Sequence, residues 1–328
     1  MNERASFLKY HSVTLILPYF GILPNYFSLW IKSAHKCENI SFLVCGDNLP
    51  QEGQDKNIHF VCKSFEWIKQ RIDTVLGFKC TLNKPYKLCD YKPAYGLIFS
   101  EYLTHTEYWG YCDPDLIFGT KVEECIQEAI AQNSDKIYKY GHLTLYRNNT
   151  VINSVFMKHS QVEKITYRDV YSMNYVAHFD EGYIIRDLFK DYKVYDRNDF
   201  SDISFWKYCF SSSGYENFKQ IYEYNDGQLI LHYIDEYGEH RTIERIYIHL
   251  QKRKMELDNE IGSRFLIVPN RFIRIGFDYS VTKDIIEKYS VDNESYRYSV
   301  KKRRVKAIIE HCLSGALKYR MINCFRKD

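Results

Sequence analysis

What most constrains this chain is a series of short apolar runs, each followed by a helical pattern. Val13-Thr-Leu-Ile-Leu17 is β-branched at three positions and stopped by Pro18. Residues 40–45 form a second run, ended by Gly46-Asp47-Asn48, and residues 58–62 a third. Unalternating runs of this length read as strands buried on both faces. Helical patterns follow at 26–35, at 65–75, from Pro93 through Leu103, and at 122–131, with further strands at 108–112 and 136–140. Repeated strand–helix units predict an α/β fold: a mostly parallel sheet flanked by helices. In such sheets ligands bind beyond the carboxyl ends of the strands. The loops at 18–21, Asp47 and Asp113 fall at that edge.

The second half reads differently. Residues 185–192 look helical. Runs at 218–224 and 228–233 flank Asn225-Asp226-Gly227, a hairpin signal, and 242–250 is a further strand-like run. The expected organisation is therefore a catalytic or binding domain over 1–255 with a small antiparallel portion, then a basic helical extension over 256–328.

Composition narrows the class. The chain has 328 residues, 45% of them hydrophobic and 27% charged, as in ordinary globular proteins. The 30 Tyr and 20 Phe suit sugar or base stacking, and equally suit a core. Ten Cys carry no C-x-x-C pair, which argues against a zinc or thioredoxin motif and fits a reducing compartment. No secretory pattern or spanning run is present, so a cytoplasmic location is expected. Between 301 and 328 nine Lys and Arg face only Glu310 and Asp328. There Val305, Ile308, Ile309, Cys312, Leu313, Ala316 and Leu317 share one helical face. Two readings stand for 301–320: peripheral contact with the anionic inner face of the plasma membrane, or a helix docked on the domain. Basic charge confined to one end, without a recognisable module, argues against a nucleic-acid role.

The chemistry concentrates in Tyr108-Trp-Gly-Tyr-Cys-Asp-Pro-Asp-Leu-Ile-Phe-Gly119. Asp113 and Asp115 stand at i and i+2 directly after an apolar strand, where extended backbone points both the same way. Two carboxylates so placed can share a hard cation, and a cation there can neutralise a departing diphosphate. An Asp-Pro turn is the plain alternative.

This motif resembles that of the GT-A fold glycosyltransferases. More closely, Tyr86-Lys-Leu-Cys-Asp-Tyr-Lys-Pro-Ala-Tyr-Gly96, Trp109-Gly-Tyr-Cys-Asp-Pro-Asp-Leu-Ile-Phe-Gly119 and Gly141-His-Leu-Thr-Leu-Tyr-Arg147 together resemble a family of bacterial glycosyltransferases from polysaccharide-assembly gene clusters. The likeness covers about Thr14 to Met255. The order of blocks is similar to that of family-8 glycosyltransferases, the glycogenin and lipooligosaccharide galactosyltransferase group. The resemblance implies a GT-A-like fold and a metal-dependent hexosyltransferase. The donor would be a nucleotide-diphosphate sugar, UDP-linked, and the acceptor a glycan or lipid-linked saccharide in surface or capsular polysaccharide synthesis. Mn²⁺ or Mg²⁺ would be held by Asp113, Asp115 and His249.

By the same resemblance Lys92 contacts the donor, Gly141 and the strand after it line the sugar pocket, and Asp180 and Glu181 sit near the transferred sugar as catalytic candidates. That group carries Gln where Glu181 stands. A basic residue near His249 meets the diphosphate, with Lys252 chosen from Lys252-Arg253-Lys254. Tyr19, Phe20 and Gly21 border the base, Asp47 is a candidate for base or ribose although Gly46-Asp47-Asn48 reads equally as a turn, and His142 supports the pocket. Asp90 pairs with Lys87 or with Lys92. A solvated basic run accounts for part of 252–254, and a helix start is the plain alternative for Asp180 and Glu181. Two rivals remain: a sugar-nucleotide pyrophosphorylase, which needs a Gly-rich loop that 18–24 does not supply, and a non-catalytic carbohydrate-binding protein.

Overall fold

The computed structural model describes residues 12–161, 164–203 and 210–290, with Lys302, Val305, Lys306 and Ile309. The protein is α/β with mixed sheets and helices. Its largest sheet has eight strands. In spatial order these are Gly53–Asp55, Ile58–Cys62, Ile40–Gly46, Val13–Tyr19, Tyr108–Cys112, Leu143–Arg147, Lys136–Ile137 and Val194–Tyr195. The four from Ile58–Cys62 to Tyr108–Cys112 are parallel. Leu143–Arg147 turns antiparallel to Tyr108–Cys112 and to Lys136–Ile137. The expected mostly parallel sheet is thus corrected: the parallel block is confined to the centre, and antiparallel pairings outnumber parallel ones over the molecule.

The central strands form because both faces are covered. Ile16, Leu43 and Val61 enter one core with helix Phe65–Leu76, while Leu15, Leu17, Val44 and Phe60 enter another with helix Phe27–His35. Helix Phe65–Leu76 starts on Ser64, whose side chain accepts from the Trp67 N–H, and stops at left-handed Gly77. Val13–Tyr19 lies between Ile40–Gly46 and Tyr108–Cys112. The chain therefore builds first to one side of this strand and then to the other. That reversal opens a crevice beyond its carboxyl end.

Two smaller sheets complete the molecule. Leu116–Phe118 pairs with Tyr247–His249, which pairs with Ser201–Asp202. The six-stranded sheet orders His240–Glu244, Gln228–Ile234, Gln220–Asn225, Arg264–Val268, Arg271–Arg274 and Glu256–Leu257. The hairpin turns on Asp226 and Gly227, both with positive φ, as its sequence required.

Several expectations are corrected. The expected helix from Pro93 through Leu103 is a chain of short turns, with α-helix only at Tyr95–Ile98; a separate α-helical turn, Leu88–Tyr91, precedes it. Gly96 packs so close to Trp109 that an added Cβ would stand 2.4 Å from the ring. The 136–140 strand ends at Ile137 because Tyr138 adopts φ 65. The 242–250 run is two strands in two different sheets, parted at Arg245 and Ile246. The 256–274 stretch is not helical: it supplies three strands to the six-stranded sheet. Helix Lys283–Tyr289 packs on that sheet through Ile286. Of the 301–320 helix, only Lys302, Val305, Lys306 and Ile309 are described, all helical and exposed; the rest lies outside the described residues. Among the described residues no helix is long and apolar enough to cross a membrane.

Candidate functional site

Beyond the strand ends lies a cavity of about 840 Å³. Its walls come from distant stretches of chain. The 17–20 and 112–115 segments follow adjacent parallel strands, and Pro85, Tyr86, Leu88, Cys89, Lys92 and Tyr95 form an opposing side. Gly141, His142, His178, Asp180, Glu181, Asp202, His249, Gln251 and Lys252 complete it.

Pairing register brings the first group together. Leu116 sits opposite His249, and Leu250 N donates to Asp115 O, so His249 is locked beside Asp115. On its other side His249 is in register with Asp202. His249 Nε2 lies 3.5 Å from Asp115 Oδ1, and Nδ1 lies 2.8 Å from Asp202 Oδ1. Gln251 and Lys252 both take positive φ. This tight turn lets the Lys252 N–H donate to Asp115 Oδ2 at 2.5 Å and the Gln251 amide to Asp202 Oδ1. His142 stacks on His249, with ring centroids 4.3 Å apart, and meets the Tyr247 hydroxyl at 3.1 Å.

Lys92 links this group to a second one. Its ammonium donates to Asp113 Oδ1 at 2.7 Å and to Gly141 O at 2.5 Å, and lies 3.5 Å from Asp180 Oδ2. Glu181 Oε2 accepts from Gly141 N. A Cβ at 141 would stand 2.8 Å from Glu181 Oε2 and 2.9 Å from Asp180 Oδ2, so any larger residue must displace these two carboxylates.

Charge states follow from these neighbours. Burial opposes charging of His249, but the Asp115 and Asp202 carboxylates outweigh it and raise the imidazole to about 10. Burial would raise Asp115, yet His249 and Lys252 hold it below the ordinary carboxylate range. Burial and the adjacent His249 keep His142 well below its usual value, hence neutral. Asp180 rises to about 7 through burial, against the pull of Lys92. Burial acts against Lys92 too, but Asp113 and Asp180 more than compensate and raise it.

The donor atoms of Asp113, Asp115 and His249 lie within 4.8 Å of one another. Asp115 is buried, and its Oδ1 makes no hydrogen bond. Such an atom is costly unless something completes it. Two carboxylates and an imidazole are a donor set suited to Mn²⁺ or Mg²⁺, the nitrogen tilting it toward Mn²⁺. The residues present therefore fit a divalent cation.

Of the residues singled out from sequence, Tyr19, Phe20, Lys92, Asp113, Asp115, Gly141, His142, Asp180, Glu181, His249 and Lys252 all line this one cavity. Gly21 and Asp47 do not. Instead Gly21 N donates to Asp47 Oδ1 at 2.8 Å, a staple that shapes the loop after the first strand. Asp90 takes Lys87 as its partner, not Lys92. Sequence reasoning missed Asp202 and Gln251, which carry no motif of their own, and passed over His178, although it stands two residues before Asp180.

Fold and site together define a mixed α/β protein with a carboxylate–histidine cavity at the switch point of its central sheet. The chain belongs to the Family of unknown function (DUF6625), matched over residues 15–276. No curated protein matches it.

Proposed function

We propose that the protein is a metal-dependent glycosyltransferase of GT-A-like architecture. It moves a hexose from a nucleotide-diphosphate donor, UDP-linked, to a glycan or lipid-linked acceptor in surface polysaccharide synthesis. The observation that carries this reading is the convergence of Asp113, Asp115 and His249, from separate stretches of the chain, on one cavity edge, with a buried Asp115 oxygen that makes no hydrogen bond and has only His249 beside it at 3.5 Å. A cavity of about 840 Å³ is large enough for a nucleotide sugar.

A bound Mn²⁺ or Mg²⁺ would neutralise charge on the diphosphate as it leaves. The chain's own groups do the rest. Asp113, Asp115 and His249 hold the ion. Lys252, whose ammonium lies over the Tyr86 ring, offers a positive charge at the mouth for phosphate oxygens. Tyr19 and Phe20 give an aromatic wall for the base. Lys92 holds Asp113 and Asp180 in place without leaving either carboxylate uncompensated.

Calorimetric titration of UDP, GDP and CMP, each with and without Mn²⁺, tests the reading. UDP binding that requires Mn²⁺ and vanishes in Asp115→Asn is expected. Absence of nucleotide binding under every condition would overturn it and leave a carbohydrate-binding protein as the alternative.

A further inference from the structure

The imidazole of His249 is held from three directions. Its strand, Tyr247–His249, runs between Leu116–Phe118 and Ser201–Asp202. The pairing with Ser201–Asp202 is parallel and sets Asp202 opposite His249. Ile203 N donates to His249 O at 2.9 Å and closes that register. The His142 ring stacks on one face of the imidazole, its plane tilted by 26°. The third hold is the Asp202 carboxylate, whose Oδ1 lies 2.8 Å from His249 Nδ1.

Asp202 is itself placed by other groups. Buried Arg245 donates from Nε to the Ser201 hydroxyl at 3.1 Å, and from Nη2 to Asn198 O and Phe200 O. These bonds fix the two-residue strand. The Gln251 amide donates to Asp202 Oδ1 at 2.7 Å, the same oxygen that faces Nδ1. An ionised carboxylate only accepts, so His249 Nδ1 carries the hydrogen. In the neutral imidazole the lone pair then belongs to Nε2, which stands 3.5 Å from Asp115 Oδ1, the buried oxygen without a hydrogen bond. Histidines that hold metals are commonly oriented in this way, by a carboxylate on the other nitrogen. Donor atoms of His142, Asp202 and His249 also lie within 4.8 Å of one another. With Nδ1 given to Asp202, that trio serves as a support rather than as a second cation site.

We propose that Asp202 is a positioning residue: it accepts the Nδ1–H of His249, turns Nε2 toward Asp113 and Asp115, and so sets how strongly the site prefers Mn²⁺ to Mg²⁺. The proposal rests on the cation site of the reading above, and not on the transfer that site would serve. Mg²⁺ draws mainly on oxygen ligands, whereas Mn²⁺ gains from an imidazole nitrogen. A histidine free to turn leaves two carboxylates that hold either ion, and removes the nitrogen that separates them.

The test uses the full chain, with Mn²⁺ and Mg²⁺ titrated separately by calorimetry. Pulsed EPR of the Mn²⁺ form reports a coordinated imidazole through its nitrogen coupling. In Asp202→Ala the ratio of Mn²⁺ to Mg²⁺ affinity should fall about 10- to 100-fold, and the nitrogen coupling should weaken at saturating Mn²⁺. The ratio is the quantity to read, because a change in proton competition at His249 bears on both ions alike. Asp202→Asn keeps an acceptor for Nδ1–H without the charge, so its coupling should persist and its ratio should fall less, by about threefold to tenfold. Where Asp202→Ala does not fold, Asp202→Asn decides, and a wild-type ratio in it overturns the proposal. An unchanged ratio and coupling in Asp202→Ala overturn it too. Equal weakening of both ions with the coupling intact does the same, by making Asp202 an oxygen ligand or a purely structural residue. A wild type that binds neither ion, with or without UDP, removes the cation site itself, and only that outcome reaches the glycosyltransferase reading.

Discussion

His249 carries a proton in the metal-free protein, because buried Asp115 and half-buried Asp202 raise it to about 10. A histidine raised this way stabilises the metal-free fold fully below its ordinary value of 6.5, and that contribution is lost as pH climbs through about 10. A cation needs the imidazole neutral. Mn²⁺ binding near pH 7 should therefore release about one proton and tighten toward pH 9. Calorimetry in buffers of different ionisation enthalpy measures this directly, and His249→Asn should abolish the release. Gly141→Ala is the complementary case. Its Cβ would meet the ends of two movable side chains, Asp180 and Glu181, not backbone. The expected cost in stability is small, about 1 kcal/mol, while the position of Glu181, and with it turnover, should suffer far more. Comparing melting temperature with turnover separates the two effects. At this scale the sequence was most legible where chemistry and strand ends coincide, as at Asp113 and Asp115. Asp202 was hidden because only the pairing of Ser201–Asp202 with Tyr247–His249 gives it a role. Asp47 stayed open between a ligand contact and a turn because a carboxylate in a turn looks the same whether it faces a ligand or, as here, a backbone N–H.

Between elements, the buried Lys87–Asp90 pair does the joining. It ties helix Leu88–Tyr91 to the 170–179 stretch, and thus one cavity wall to another. Removing one partner leaves an uncompensated buried charge. Asp90→Ala should destabilise the protein by about 3–5 kcal/mol. The double variant Lys87→Met, Asp90→Leu should recover much of that loss in denaturant unfolding, since the worst penalty is the lone charge. The double variant still lacks the acceptor for Ala177 and Phe179, so site function should stay impaired even where stability returns. The central strands could be read from sequence because burial on both faces leaves an unbroken apolar run. Their direction could not, since such a run looks alike in parallel and antiparallel neighbours. The 242–250 segment misled for a related reason: its apolar character is continuous although the chain passes from one sheet to another at Arg245 and Ile246. The 85–102 segment lacks a regular period because its short turns are each shaped by a separate partner, among them Trp109 against Gly96.

For the whole molecule, a ligand that bridges these walls should act as a stabiliser by mass action. UDP and Mn²⁺ together, at about a hundredfold excess over Kd, should add about 2.7 kcal/mol to unfolding. The melting temperature should rise by several degrees with the pair, and by much less with either component alone. Differential scanning fluorimetry across the four conditions checks this, and equal shifts with UDP alone would argue against a shared site.

The backbone N–H of Lys252 reaches Asp115 across 137 positions of chain. Contacts of that separation form only after the strands between them have found their partners, since each long closure costs entropy before it is repaid. An ion at Asp113, Asp115 and His249 would therefore arrive last, on a frame already assembled. It would leave the rate of refolding unchanged and slow the rate of unfolding. Unlike a small zinc domain, which needs its metal to acquire shape, this chain would mature without it and become locked afterwards.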